Sequence, residues 1–178
     1  MISDYVKGKK QYDYPAAIQN GIKLHRAIDD FTDTHPATFE IKKFFKPAYR
    51  LYAGAFTDVV YDYFLANDTN YFSSPEDLKK FTENTYQLLK LQSAHFPEKF
   101  AGMFPYMQAQ DWLYHYRFNE GMQKSFGGLA RRAKYIEETV TAYEIFLTHK
   151  NDIQSWYDIF MPDVKNFTVK KIEQMLNG

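Results

Sequence analysis

Proline punctuates this chain more firmly than any other residue. Prolines stand at 15, 36, 47, 75, 97, 105 and 162, and the stretches between them carry apolar residues at helical, never strand-like, spacing. A proline is tolerated in the first turn of an α-helix and disruptive in its interior, because it lacks an N–H and crowds the preceding turn. After Pro15, the residues Ile18, Ile22, Leu24, Ile28 and Phe31 recur with roughly the period of one helical face. His35 before Pro36 stops that helix, since a residue preceding proline avoids the α region. A short helix is expected over 37–45, closed by Pro47, and a longer, mostly buried one over 48–67. The sequence Ser-Ser-Pro-Glu-Asp-Leu at 73–78 offers a serine cap, an early proline and first-turn acids, so a helix is expected from there to about His95. Pro105 divides the next region, 110–118 reads as helix again, and Phe126-Gly127-Gly128 reads as a break. Two further helices are expected over 134–149 and 152–176, the second interrupted at Pro162. No alternating pattern, internal repeat or Gly/Ser linker intervenes. The expectation is an all-α, single-domain helical bundle spanning 1–178.

Composition narrows the function classes. A chain of 178 residues with 45% hydrophobic side chains can bury a real core. Its 16 Phe and 15 Tyr must supply much of that core, with tyrosine hydroxyls placed at the edge. Lys plus Arg and Asp plus Glu balance at 22 each, which argues against a general nucleic-acid or membrane-surface binder. Cysteine is absent, so disulfides, thiolate metal sites and cysteine nucleophiles are excluded and any metal must use His, Asp and Glu. The start, Met-Ile-Ser-Asp-Tyr-Val-Lys, shows no apolar core of a signal peptide, and no apolar run approaches the ~18 residues of a membrane span. A soluble, cytoplasmic protein is expected.

The polar residues of the two best helices are arranged in stripes. Residues four apart share a helix face, so His25, Asp29 and Asp33 line one side of the first helix, and Asp58 and Asp62 line one side of the 48–67 helix. The second pair is flanked by Ala55, Phe56, Val59, Val60, Tyr61, Phe64 and Leu65, which leaves little polar surface for two acids. A carboxylate taken out of water needs a counter-charge, hydrogen bonds or a metal. A solvated face, helix capping by Asp33, or ion pairs from Asp58 and Asp62 to Arg26 or Arg50 are the bland readings. The sharper one is a divalent ion held by oxygen ligands and an imidazole, which suits Mn2+, Mg2+ or Fe2+. Asp111, His115 and Arg117 read as the polar edge of a core. The basic runs at 7–10 and 130–134 read as solvated, or as sites for a phosphate or an acidic partner. His95 and His149 stand near helix C-termini, where a cation is favoured. No glycine-rich phosphate loop, G-x-S-x-G or H-E-x-x-H is present.

Several of these segments resemble, in order, the acyl carrier protein phosphodiesterases, also called holo-ACP hydrolases. "ISDYVKG" resembles the family's I-(A/S)-D-(F/Y)-V-(K/R)-G, and "GIKLHRAIDDFTDTHP" resembles G-I-x-L-H-R-x-I-D-x-F-T-D-x-H-P. "DVVYDYFLA" is similar to D-V-x-(Y/W/F)-D-H-F-L-A, while "QDWL" and "LARR" resemble the family's second half more loosely. The resemblance covers essentially the whole chain.

The resemblance implies an HD-type, metal-dependent phosphohydrolase fold and removal of the 4′-phosphopantetheine arm from holo-acyl carrier protein, leaving a free serine hydroxyl. It implies Mn2+ or a similar ion, with Asp4, His25, Asp29 and Asp58 as metal ligands and Asp62, Arg26 and Asp33 as catalytic groups. Arg26 or a C-terminal basic residue would neutralise the phosphodiester, and the acidic carrier protein would dock on the basic runs. Two departures from the family pattern bear on activity. Tyr63 stands where the family has His, and a phenol is a poor replacement for an imidazole at a metal. The family's apolar N-terminal segment with its own His would precede this "ISD", so a truncated site, or a homodimer covering the exposed face, is expected. The rival readings are a hydrolase of another small phosphoester and a non-catalytic helical binding protein with a degenerate metal site.

Overall fold

Prolines at helix starts behave as the sequence predicts. In the computed structural model, which describes residues 2–177, Pro15 immediately precedes α1 (Ala16–Thr34) and Pro36 opens α2 (Pro36–Tyr49). Between these helices His35 is extended, and its Nδ1 accepts a hydrogen bond from the Ala37 N–H at 3.2 Å, which caps α2. A 3-10 turn at Arg50–Tyr52 leads into α3 (Ala53–Ala66). Pro75 opens α4 (Pro75–Leu91), whose first turn is capped by Ser74 Oγ accepting from the Asp77 N–H at 3.2 Å. Pro97 caps α5 (Glu98–Ala109).

Interior prolines and glycines break less than expected. Helix α2 runs through Pro47 to Tyr49, and α5 runs through Pro105. The adjacent rings of Phe45 and Phe104 are buried, and burying each contributes ~2 kcal/mol, which offsets much of the cost of the forfeited main-chain bond. Residues 110–118 form only the single turn α6 (Trp112–His115). The Gly127–Gly128 pair lies inside α7 (Asn119–Arg132) instead of breaking it. Each glycine there costs about 1 kcal/mol relative to alanine, while Met122 and Phe126 of the same helix are fully buried. Ala133 (φ −94°, ψ 133°) closes α7, and the last helix, α8 (Val140–Asn177), begins six residues later than predicted, after a turn and irregular backbone over 133–139. Non-helical backbone at His149 (φ −110°, ψ 17°) divides it into two helices where the sequence predicts two, and the second runs on past Pro162.

The architecture is therefore all-α, with no strand among the described residues. The main core lies between α2, α3, α7 and α8, where Ile41, Phe45, Phe56, Phe126, Phe146 and Ile153 are excluded from solvent. A smaller cluster of Tyr86, Phe100, Phe104 and Met107 lies under α4 and α5. The N-terminal segment, two 3-10 turns at Ser3–Tyr5 and Gly8–Asp13, is laid against α1, with Ile2 and Tyr5 packed on that smaller cluster. Helices α1 and α3 both pack against α8, and the cleft described below opens between the three. No helix of the described residues is long and apolar enough to cross a membrane.

Candidate metal centre

Helical spacing alone sets His25, Asp29 and Asp33 along one side of α1, and the fold turns that side into a cleft of about 900 Å3. Asp4 reaches the same cleft from the first 3-10 turn, and Asp58 and Asp62 reach it from α3. One ligand atom from each of Asp4, His25 and Asp29 lies within 4.8 Å of the other two. His25 Nδ1 is 2.9 Å from Asp29 Oδ2. This donor set, one imidazole and two carboxylates with no sulfur, fits a hard or borderline divalent ion such as Mn2+, Mg2+ or Fe2+. Asp33 pairs with Lys42 Nζ at 2.8 Å on the cleft's edge.

The two acids of α3 sit in a different electrostatic setting from those of α1. Asp62 is pushed up to about 7, first by burial and then by the charge of Asp58 one turn away. Asp58 is open to the cleft, yet the protein crowding around it raises its pKa to about 6, with further upward pushes from Asp33, Asp29 and Asp4 and a downward pull from Lys42. Neither carboxylate pairs with an arginine among the described residues. The expected alternative, ion pairs to Arg26 or Arg50, is not what the chain does. Arg50 is exposed at the turn between α2 and α3, with φ 46°.

Arg26 stands apart from the other candidates and does not line the cleft. Its guanidinium donates to Gln11 Oε1 at 2.7 Å and to the Val6 carbonyl at 2.6 Å. The weight placed on Tyr63 is corrected by geometry. Tyr63 follows Asp62 directly, and one helical residue turns the side chain by about 100° around the axis. Its ring is buried against Phe64 and Phe146, and its hydroxyl accepts from Lys150 Nζ at 2.8 Å. Tyr63 is not part of the cleft lining. Asp111 likewise lies elsewhere, paired with Lys79 Nζ at 2.5 Å and capping α6.

The opposite wall of the cleft comes from α8, which the sequence reading did not assign to the site. Tyr157, Phe160, Met161, Val164 and Thr168 present a mostly apolar surface, and Lys165 borders the same wall with its ammonium 5.0 Å from the centroid of the Tyr71 ring. These positions recur at three- and four-residue intervals, so a stripe was legible; nothing in it said which cleft it faced. Acids and imidazole on one side and apolar groups on the other suit a divalent cation with an organic group beside it.

Residues 1–164 match the family described as acyl carrier protein phosphodiesterase. A protein named acyl carrier protein phosphodiesterase from Klebsiella pneumoniae subsp. pneumoniae is 28% identical over 171 residues, covering 96% of this chain and 89% of the relative. Proteins of the same name from Enterobacter sp. (strain 638) and Yersinia pestis are 27% and 25% identical over 162 residues, each covering 91% of this chain and 84% of the relative. No solved structure matches. The match takes in the turn that carries Asp4, α1, α3 and the α8 wall as far as Val164, so all five acids and the imidazole of the cleft fall within it, and the chain belongs to the acyl carrier protein phosphodiesterase family.

Proposed function

We propose that this chain is a metal-dependent phosphodiesterase that releases 4′-phosphopantetheine from holo-acyl carrier protein. The observation that carries the reading is the convergence of Asp4, His25 and Asp29 within 4.8 Å in a cleft that also holds Asp58 and Asp62. A divalent ion held by these residues, Mn2+ in the first instance and otherwise Mg2+ or Fe2+, would supply Lewis-acid polarisation of a phosphoryl oxygen. Asp4, His25 and Asp29 would be its ligands, and Asp58 would join them from α3. Asp62, with its pKa near neutrality, takes a proton from the attacking water as the new P–O bond forms. That proton then serves the serine oxygen as its bond to phosphorus breaks, giving apo-carrier protein and free 4′-phosphopantetheine.

Other parts of the cleft supply binding. Lys165, a C-terminal basic residue as the resemblance allows, balances the phosphodiester charge in place of Arg26, and Asp33 with Lys42 holds the rim. The apolar surface of α8 takes the organic arm. The carrier protein, being acidic, meets the exposed lysines at 7, 9 and 10 in the segment that also bears Asp4. An HD-type relationship, a cytoplasmic location and a homodimer accord with this reading. The test is incubation of holo-acyl carrier protein with the protein and Mn2+, followed by mass spectrometry. Loss of the phosphopantetheine mass in wild type, and its retention with Asp62→Asn, is expected; an intact holo form after prolonged incubation contradicts the reading.

A further inference from the structure

The N-terminal segment makes few hydrogen bonds to the rest of the fold, and Arg26 makes most of them. Main-chain bonds of residues 2–13 run within the segment itself, Tyr5 N–H to the Ile2 carbonyl, Val6 N–H to the Ser3 carbonyl and Lys10 N–H to the Lys7 carbonyl. Among the described residues, three side-chain hydrogen bonds leave it or enter it. One is the long contact of the Tyr5 hydroxyl with Met103 Sδ at 3.8 Å. The other two come from Arg26, to Gln11 Oε1 at 2.7 Å and to the Val6 carbonyl at 2.6 Å. The two acceptors lie on either side of the bend between the 3-10 turns, so one planar guanidinium grips the segment at two points. Val6, buried to 3% exposure, seats the gripped residue in the fold.

Asp4 is two residues from Val6, and His25 is the neighbour of Arg26. Consecutive helical residues diverge by about 100°, so α1 sends His25 into the cleft and Arg26 outward to the segment that delivers Asp4. We infer that Arg26 is a positioning residue: its two-point grip on Val6 and Gln11 holds Asp4 at the His25–Asp29 pair and so assembles the metal centre. The inference rests on the metal reading proposed above. It gives Arg26 no contact with substrate. A lysine at this position keeps the charge but loses the fork, so it makes at most one of the two bonds well.

Isothermal titration with Mn2+ on the metal-free full chain tests this, using wild type, Arg26→Gln, Arg26→Lys, Asp4→Asn and the Arg26→Gln/Asp4→Asn double variant. Arg26→Gln is expected to weaken Mn2+ binding at least ten-fold, Arg26→Lys to fall between it and wild type, and the double variant to bind no more weakly than Asp4→Asn. Such non-additivity is the signature of a residue acting through another. Hydrogen exchange should quicken across residues 3–13 in Arg26→Gln and stay unchanged in α3. If Arg26→Gln does not fold, Arg26→Lys carries the test with the same cycle. Mn2+ affinity within two-fold of wild type in the variant that folds, or losses that simply add, would overturn the inference while leaving the metal reading intact. Wild type that binds no Mn2+ overturns both.

Discussion

The Tyr63 hydroxyl accepts a hydrogen bond from Lys150 Nζ at 2.8 Å, with the ammonium 5.0 Å from the centroid of the same ring. This pair ties α3 to α8 outside the cleft lining. Tyr63→Phe should therefore cost about 1 kcal/mol of stability, the net worth of one hydrogen bond, and leave Mn2+ affinity within two-fold of wild type. Denaturant melts paired with metal titration check this. A large loss of metal affinity would put Tyr63 back into the site.

Two raised carboxylates make the metal-free protein sensitive to alkali. The folded chain holds protons on Asp62 and Asp58 up to about 7 and about 6, whereas the unfolded chain releases them in the ordinary carboxylate range near 3.8. Across that window the folded state binds more protons, so these groups make stability fall as pH rises from about 4 to about 7. Asp62→Asn cannot ionise and should show a shallower fall, becoming more stable than wild type above neutrality. A Tm series in EDTA measures the difference, and parallel curves for the two proteins would contradict it.

Lys165 is exposed on α8 and shares the cleft with the acids. Removing its charge should weaken ground-state and transition-state binding of an anionic ester alike. Lys165→Met is expected to raise KM by about ten-fold with kcat little changed. Steady-state kinetics with holo-acyl carrier protein separate the two constants. A fall in kcat at constant KM would assign the lysine to the chemical step instead.

Gly121 marks the closest approach of α6 to α7. A Cβ there would lie 1.9 Å from the His115 carbonyl oxygen, a backbone atom that cannot swing aside. Gly121→Ala should cost about 1–3 kcal/mol, lowering Tm by roughly 2–4 °C for each kcal/mol. Thermal melts test it, and an unchanged Tm would mean that the turn between the helices yields freely.

The helical class and the acid stripes were legible because both follow from local rules. Spacing of four put Asp58 with Asp62 and His25 with Asp29, and the prolines at 15, 36 and 75 opened helices where a missing N–H costs nothing. Interior Pro47, Pro105 and Gly127–Gly128 were misjudged because buried neighbours such as Phe45 and Phe126 outweigh a local penalty that sequence displays in isolation. The direction of a single side chain was harder still. Arg26 and Tyr63 adjoin site residues in sequence, yet the helix turns both away from the cleft, Arg26 to the Val6 carbonyl and Tyr63 to Lys150. Lys165 and the α8 wall were invisible for the converse reason: they join the cleft only through a packing of α8 on α1 and α3 that brings together residues more than a hundred positions apart.

The central claim is that Asp4, His25 and Asp29 hold a divalent ion. Elemental analysis after equilibration with Mn2+ and removal of free ion measures this directly, for wild type beside His25→Ala. Near-stoichiometric manganese is expected in wild type, with its loss in the variant. Wild type that retains no metal, or a His25→Ala variant that retains as much, would contradict it.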